Sequence, residues 1–406
     1  MGKTFTIKEF GKQHFSSVVS VDFERNKTVH AVFEKDLNPR RMVEELEIYT
    51  AQSIIPGKTL LFFDEIQACE KALMMLRYIY EEIPEMHVVA AGSLLEFAMN
   101  SISFPVGRVT FIWMRPMTFR EFLLAGGKEI LIEKLPSILK PGPIKEILHN
   151  SVMEELRRYL IVGGMPEAVK KYFDSGSLAA VRQVHGDIVQ SYLESFAKYN
   201  ARANLESLEQ LIKSVPSSVG SQIKYTRLDP DRRIEVTKAS FKLLEKAFLV
   251  HPVHSTNISG LPLGANVSAK VFKALFLDVG LMQHICGIDP LDTINSSDLN
   301  SVYRGAVAEQ FVGQELLASG GSENSKIFYW NRMKKGSSAE VDYVISRSAN
   351  IYPIEVKSGA AGKMRSMQLL LKEYPEIEKG FVLSSKIYKK QDFGKLIYMP
   401  IYSGLK

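Results

Sequence analysis

Residues 59–67 read TLLFFDEIQ, and four consecutive apolar residues, Leu60 to Phe63, run directly into two acids, Asp64 and Glu65. A short continuous apolar run has the pattern of a strand buried on both faces. Such a strand delivers its last residues to the carboxyl edge of a sheet, where open α/β folds bind ligands. The alternative is a strand that simply ends at a charged turn, so the neighbouring segments decide.

Those segments alternate. SSVVSVDFE (16–24) reads as a strand and PRRMVEELEIYTAQSI (39–54) as a helix. EKALMMLRYIYEEI (70–83) reads as a second helix and MHVVAAGS (86–93) as a third strand. Strand, helix, strand, helix, strand predicts a parallel sheet covered by helices. Two more features favour a ligand over a bare turn. Gly2-Lys3-Thr4 opens an amphipathic segment, KTFTIKEFGKQHF, and matches the tail of the phosphate loop G-x-x-x-x-G-K-[ST]. The third strand ends at the polar Ser93. Phosphate loop, acidic strand and polar-tipped strand follow in the order of a P-loop NTPase. On that reading Gly2, Lys3 and Thr4 hold ATP, with Lys3 at the phosphates and the Thr4 hydroxyl on Mg²⁺. Asp64 holds Mg²⁺ through water, Glu65 activates the attacking water, and Ser93 senses the γ-phosphate. Arg108, in FPVGRV, is either a phosphate sensor or half of a surface salt bridge.

The 406 residues exceed one ordinary core and predict several domains. The expected division is an ATPase core over 1–127, a helical linker or lid over 128–203, a winged-helix-like unit over 204–265 and a C-terminal α/β domain over 266–406. The winged-helix expectation rests on helix, turn, helix, strand between 204 and 256. Lys238, Lys242 and Lys246 share one face of its last helix, and Leu243, Leu244, Phe248 and Leu249 form the expected core face. The lysine stripe either tracks phosphates or is a solvated surface, and the second is preferred.

The C-terminal segment EVDYVISRSANIYPIEVKSG (340–359) puts Asp342 on one strand and Glu355-x-Lys357 on the next. Glu355 and Lys357 share a face by the period-two rule, and Glu309 lies on the preceding helix. Carboxylates binding Mg²⁺ beside a lysine suit phosphodiester hydrolysis. Charged residues also alternate on any half-exposed strand, but Asp342 and Glu355 lie inside apolar runs, where an unpaired acid is costly.

GKT, LLFFDEIQ, AAGSLLEF, FPVGRVTFIWMRPMTFREFL, YLIVGGMPEAV, FKALFLDVGLM and AVAEQFVGQEL...EVDYVI...YPIEVKSG together resemble a family of prokaryotic AAA-type ATP-binding proteins. Their C-terminal half is a domain of unknown function. The resemblance spans essentially the whole chain. The C-terminal layout resembles the PD-(D/E)xK nuclease fold, with Glu309, Asp342, Glu355 and Lys357 in the motif positions. Relatives of this kind begin with a strand and a complete phosphate loop, so Met1 is expected to be an internal methionine or the edge of a truncated gene. Half a loop has few backbone donors, and ATP binding by the chain as given is expected to be weak or absent.

The leading expectation is an ATPase coupling nucleotide state to a nuclease-like domain, with ATP and Mg²⁺ as ligands. The alternatives are a DNA-binding or metal-dependent DNA-cleaving protein with a regulatory or inactive ATP domain, and a non-enzymatic scaffold for a protein partner. A net charge of +6 permits nucleic acid without demanding it. The two cysteines, Cys69 and Cys286, have no metal-ligand spacing and are expected as free thiols in a cytoplasmic protein. No apolar run is long enough for a membrane span.

Overall fold

The alternation around residues 59–67 folds as a parallel sheet. A computed structural model describes residues 2–92, 107–137, 144–199, 202–258, 260–265, 267–289, 302–319, 326–332, 339–359, 364–387 and 392–404. The chain divides into two units, Met1–Met114 and Arg115–Lys406.

In the first unit, β1 (Ser17–Asp22), β2 (Thr59–Asp64) and β3 (His87–Ala90) pair in the order β1-β2-β3, all parallel. This is the sheet of a P-loop NTPase-like α/β domain. All six residues of β2 are buried. Leu61 and Phe63 join Val19, Val21 and Phe23 against α3 (Pro39–Thr50) and α4 (Glu70–Glu82). Phe23, Phe33 of α2 (His30–Glu34) and Phe63 meet edge to face, with ring centroids 5.2 to 5.7 Å apart. The other face carries α1 (Lys3–His14). A Cβ on Gly11 would fall 2.4 Å from Val18 Cγ2, so the missing side chain sets how closely α1 approaches the sheet.

The second unit begins with α5 (Phe119–Ala125), α6 (Glu129–Glu133), α7 (Glu146–Val162), α8 (Pro166–Ser175) and α9 (Leu178–Tyr199). Next come α10 (Arg202–Ser218), α11 (Tyr225–Leu228) and α12 (Ile234–Lys246), then the antiparallel strands β4 (Val250–Thr256) and β5 (Val267–Phe276). Leu244 and Leu249 are buried as expected from the pattern, but Phe248 is 38% exposed. It sits at φ 59° in the turn after α12, which carries its ring away from the core face.

α13 (Val279–Ile285) and α14 (Val302–Ser319) lead into β6 (Phe328–Asn331), β7 (Glu340–Arg347) and β8 (Asn350–Lys357). α15 (Arg365–Glu373), β9 (Gly380–Ser384), β10 (Asp392–Phe393) and β11 (Leu396–Pro400) complete the fold. These strands and the β4–β5 pair make one sheet, ordered β10-β11-β9-β8-β7-β6-β4-β5. Met367, Leu370 and Leu371 of α15 pack on one face with Trp330, Val341, Val344 and Val382.

The glycine pair of YLIVGGMPEAV has a packing role. A Cβ on Gly163 would lie 2.1 Å from Asp278 Oδ1, and one on Gly164 would lie 2.1 Å from Met117 O. The buried Asp278 carboxylate accepts from the N–H groups of Gly164, Gly280 and Leu281 at 2.6, 2.9 and 3.0 Å. Gln310 of α14 bonds both the N–H and the carbonyl of Phe276, and Gln314 accepts from Val279 N–H at 3.0 Å. These bonds fix α14 against the end of β5 and so place Glu309.

Candidate functional site

In the first unit the carboxyl edge gathers the residues named from the sequence. α1 starts at Lys3, after Gly2 at φ 72°, so its first-turn N–H groups and positive dipole end lie beside Lys3 and Thr4. Thr4 Oγ1 donates to Asp64 Oδ2 at 2.8 Å. Lys3 Nζ donates to the carbonyl of Gly92, just beyond β3, at 2.6 Å. Burial lowers the Lys3 pKa, while Glu65 and Asp64 pull it back up. Glu65 takes the left-handed conformation, φ 49°, which is strained for a side-chain-bearing residue. Its carboxylate accepts from Gln67 Nε2 at 2.5 Å. The turn is tied to β3 by Ile66 N–H donating to Ala91 O at 3.0 Å.

Lys3, Thr4, Asp64 and Glu65 are therefore brought together, with Gly2 at the head of their helix. Ser93 lies outside the described residues. Arg108 is not brought to this edge. It pairs with Glu81 at 3.1 Å, on the last turn of α4. That turn precedes β3 and so lies at the amino edge of the parallel sheet. The donor set fits a magnesium–nucleotide pair: a hydroxyl and a carboxylate are hard oxygen ligands, and an ammonium at a helix N-terminus suits phosphate.

The C-terminal candidates converge on a residue the motif pattern did not name. Lys273 of β5 is 3% exposed. Its Nζ lies 2.6 Å from Glu340 Oε1, 3.0 Å from Glu309 Oε2 and 3.3 Å from Asp342 Oδ1. It also stands 5.7 Å from the ring centroid of Tyr329. Burial depresses the Lys273 pKa, but Asp342, Glu309 and Glu340 outweigh it and hold the pKa well above the ordinary value. Its sequence signal was a lone lysine inside the apolar run VFKALF (271–276), the same cue that singled out Asp342 and Glu355.

The β7–β8 ladder ends at Tyr343 and Ile354. The next pair in that register is Asp342 and Glu355. There Asp342 Oδ2 accepts from Val356 N–H at 2.8 Å, so a side chain replaces the ladder bond where the strands part. Lys357 Nζ donates to Glu355 Oε1 at 2.7 Å. Burial and then Asp342 raise the Glu355 pKa to about 7, against Lys357. Burial and Asp342 raise Glu309 to about 8, against Lys273. Among the described residues, no group of three or more acidic, histidine or cysteine side chains is placed to hold a metal ion. Both cysteines are free thiols.

On α12, Thr237, Ser240, Phe241 and Leu244 face the core. Lys242 pairs with Glu245 at 2.9 Å, and the Lys238 ammonium lies 5.7 Å from the Tyr225 ring centroid.

An AAA-type, ATPase-like N-terminal unit is the class this fold and edge define. Residues 1–123 match the family described as an AAA domain, whose members use nucleotide and usually Mg²⁺. Residues 153–292 match a domain of unknown function, DUF8612, and residues 304–402 match another, DUF4143. No curated protein matches the chain. Among the described residues, no helix is long and apolar enough to cross a membrane.

Proposed function

We propose that the first unit binds ATP with Mg²⁺, weakly, and hydrolyses it. β2 then acts as a Walker B strand. The α1 N-terminus and Lys3 hold the phosphates, Thr4 and Asp64 hold the metal, and Glu65 polarises the attacking water. Bound Mg²⁺ would neutralise charge on the phosphate oxygens. Ser93 belongs to the same reading as the γ-phosphate contact. The observation that carries it is the 2.8 Å bond between Thr4 and Asp64, which joins the helix N-terminus to the acidic strand. α10 to α12 with β4, within residues 204–265, are read as a winged-helix-like unit, and nucleotide state is read as acting on the C-terminal domain. The test is calorimetric titration of Mg²⁺–ATP into the roughly millimolar range, with phosphate release measured alongside. Asp64→Asn and Thr4→Ala are expected to weaken binding at least about tenfold, and Glu65→Gln to keep binding while losing turnover. Unchanged binding in Asp64→Asn overturns the proposal.

A second reading, of another class, is favoured by the meeting of Asp342 and Glu355 where β7 and β8 part. It makes the C-terminal domain nuclease-like, with Glu309, Asp342 and Glu355 as Mg²⁺ or Mn²⁺ ligands and Lys357 beside the attacking water. Mn²⁺-dependent nicking of plasmid DNA that Asp342→Ala abolishes and Asp64→Asn leaves intact is the expected outcome. Absence of such nicking in the wild type at several millimolar Mn²⁺ overturns it.

A further inference from the structure

The Lys273 ammonium is itself a cation held by three carboxylates. Its three carboxylate contacts span 2.6 to 3.3 Å and come from two elements: Glu309 on α14, and Glu340 and Asp342 on one face of β7. Lys273 is 3% exposed, so its charge is neutralised by these groups and not by water. Glu340 and Asp342 are also held from behind. Glu340 Oε2 accepts from Gln222 Nε2 at 2.6 Å and Asp342 Oδ2 from Val356 N–H, which aims Oε1 and Oδ1 at the ammonium.

A second observation points to a cation beyond those the chain supplies. Glu355, opposite Asp342 and 8% exposed, has a buried Oε2 with no hydrogen-bond partner among the described residues. Its Oε1 already holds Lys357. A buried carboxylate oxygen left unpaired is costly and is the group an entering cation would satisfy. The formal charges agree. With all four carboxylates ionised, Glu309, Glu340, Asp342 and Glu355 carry four negative charges against two positive, Lys273 and Lys357, and without a further cation the raised pKa values of Glu309 and Glu355 let protons take up part of that excess. Removing Lys273 leaves the ionised cluster with one positive charge, Lys357, against four negative.

We infer that Lys273 and a divalent cation compete for the same oxygens of Glu309, Glu340 and Asp342, so that Lys273 sets the metal affinity of this site. The inference rests on the nuclease-like reading only in taking these carboxylates as a cation site. It assigns Lys273 the role of built-in competitor, whatever chemistry the site performs. A hard divalent cation such as Mn²⁺ or Mg²⁺ fits the all-oxygen donor set.

The test uses the full chain and Mn²⁺ as probe, with bound metal read from loss of the free Mn²⁺ paramagnetic resonance signal. Lys273→Met, which keeps an unbranched stem and removes the charge, is expected to bind Mn²⁺ at least about tenfold more tightly than the wild type. Adding Asp342→Asn to Lys273→Met is expected to abolish the gain, which a site elsewhere in the chain would not do. Lys273→Arg, which keeps a cation in place, is expected to stay at the wild-type affinity. A folded Lys273→Met protein with no gain in Mn²⁺ affinity overturns the inference. Should circular dichroism show Lys273→Met unfolded, Lys273→Gln, which keeps a donor to the carboxylates, carries the same test. Plasmid nicking separates the two claims. Tighter Mn²⁺ binding without nicking in either protein supports the competition and ends the cleavage reading. Asp342-dependent nicking at the same Mn²⁺ requirement in wild type and Lys273→Met supports cleavage and overturns the competition.

Discussion

Glu315 on α14 shows how one residue can make this fold sensitive to pH. Its Oε1 accepts from Phe119 N–H, at the start of α5, at 2.8 Å. Burial raises its pKa from 4.5 to about 7, although that bond opposes the shift. The folded state therefore holds a proton that the unfolded state has released across this window. Stability present below about pH 4.5 is lost as pH rises through about 7. Glu315→Gln keeps an acceptor for Phe119 N–H and removes the titration. The unfolding free energies of the wild type and Glu315→Gln, from urea denaturation at several pH values, are expected to diverge between pH 5 and 8. The mutant should gain on the order of 1–3 kcal/mol relative to the wild type. Glu309 and Glu355, raised to about 8 and about 7, slope the same way in both proteins, so the difference isolates Glu315. A constant difference across that range would show that Glu315 titrates like an exposed carboxylate.

At the scale of elements, legibility followed sequence distance. The runs VVSV, LLFF and HVVA carried enough period and burial signal to read as β1, β2 and β3, and the strand pair around Asp342 and Glu355 read correctly as β7 and β8. The meeting of Thr4 with Asp64 was legible because a phosphate-loop tail and an acidic strand imply each other. For Arg108 the salt-bridge alternative is the one the structure shows, but its partner was not legible, since an arginine in an irregular segment carries no period and Glu81 lies 27 residues away. β5 has only the apolar run VFKALF as its local signal. Its partner β4 lies across the glycine-containing stretch 257–265, which reads locally as a boundary. Lys273 was lost with it: its significance depends on Glu309, Glu340 and Asp342, which are 36 to 69 residues away. Gln222, which braces Glu340, had no local signal either.

Over the whole molecule, the C-terminal sheet is what sequence segmentation cuts across. The two unknown-function families divide between residues 292 and 304, and the sequence reading placed its boundary at 265. Yet β4 lies between β5 and β6 in one sheet, antiparallel to β5 and parallel to β6. A parallel contact between β4 and β6 closes a long loop, and nothing local encodes it. Residues 266–406 alone would keep β5 without its one strand partner among the described residues and would bare the edge of β6. Unpaired apolar strand edges aggregate. Residues 115–406 keep the whole sheet together with α13, α14 and the Asp278 contacts that brace them. Expressed separately, the 115–406 fragment is expected to melt in one cooperative transition. The 266–406 fragment is expected to aggregate, or to bind a hydrophobic dye without a cooperative melt. If 266–406 melts cooperatively within a few degrees of the longer fragment, then β4 is dispensable to the sheet. The C-terminal carboxylates would then need only Lys357 as their cation, because Lys273 would have lost the strand that fixes its register.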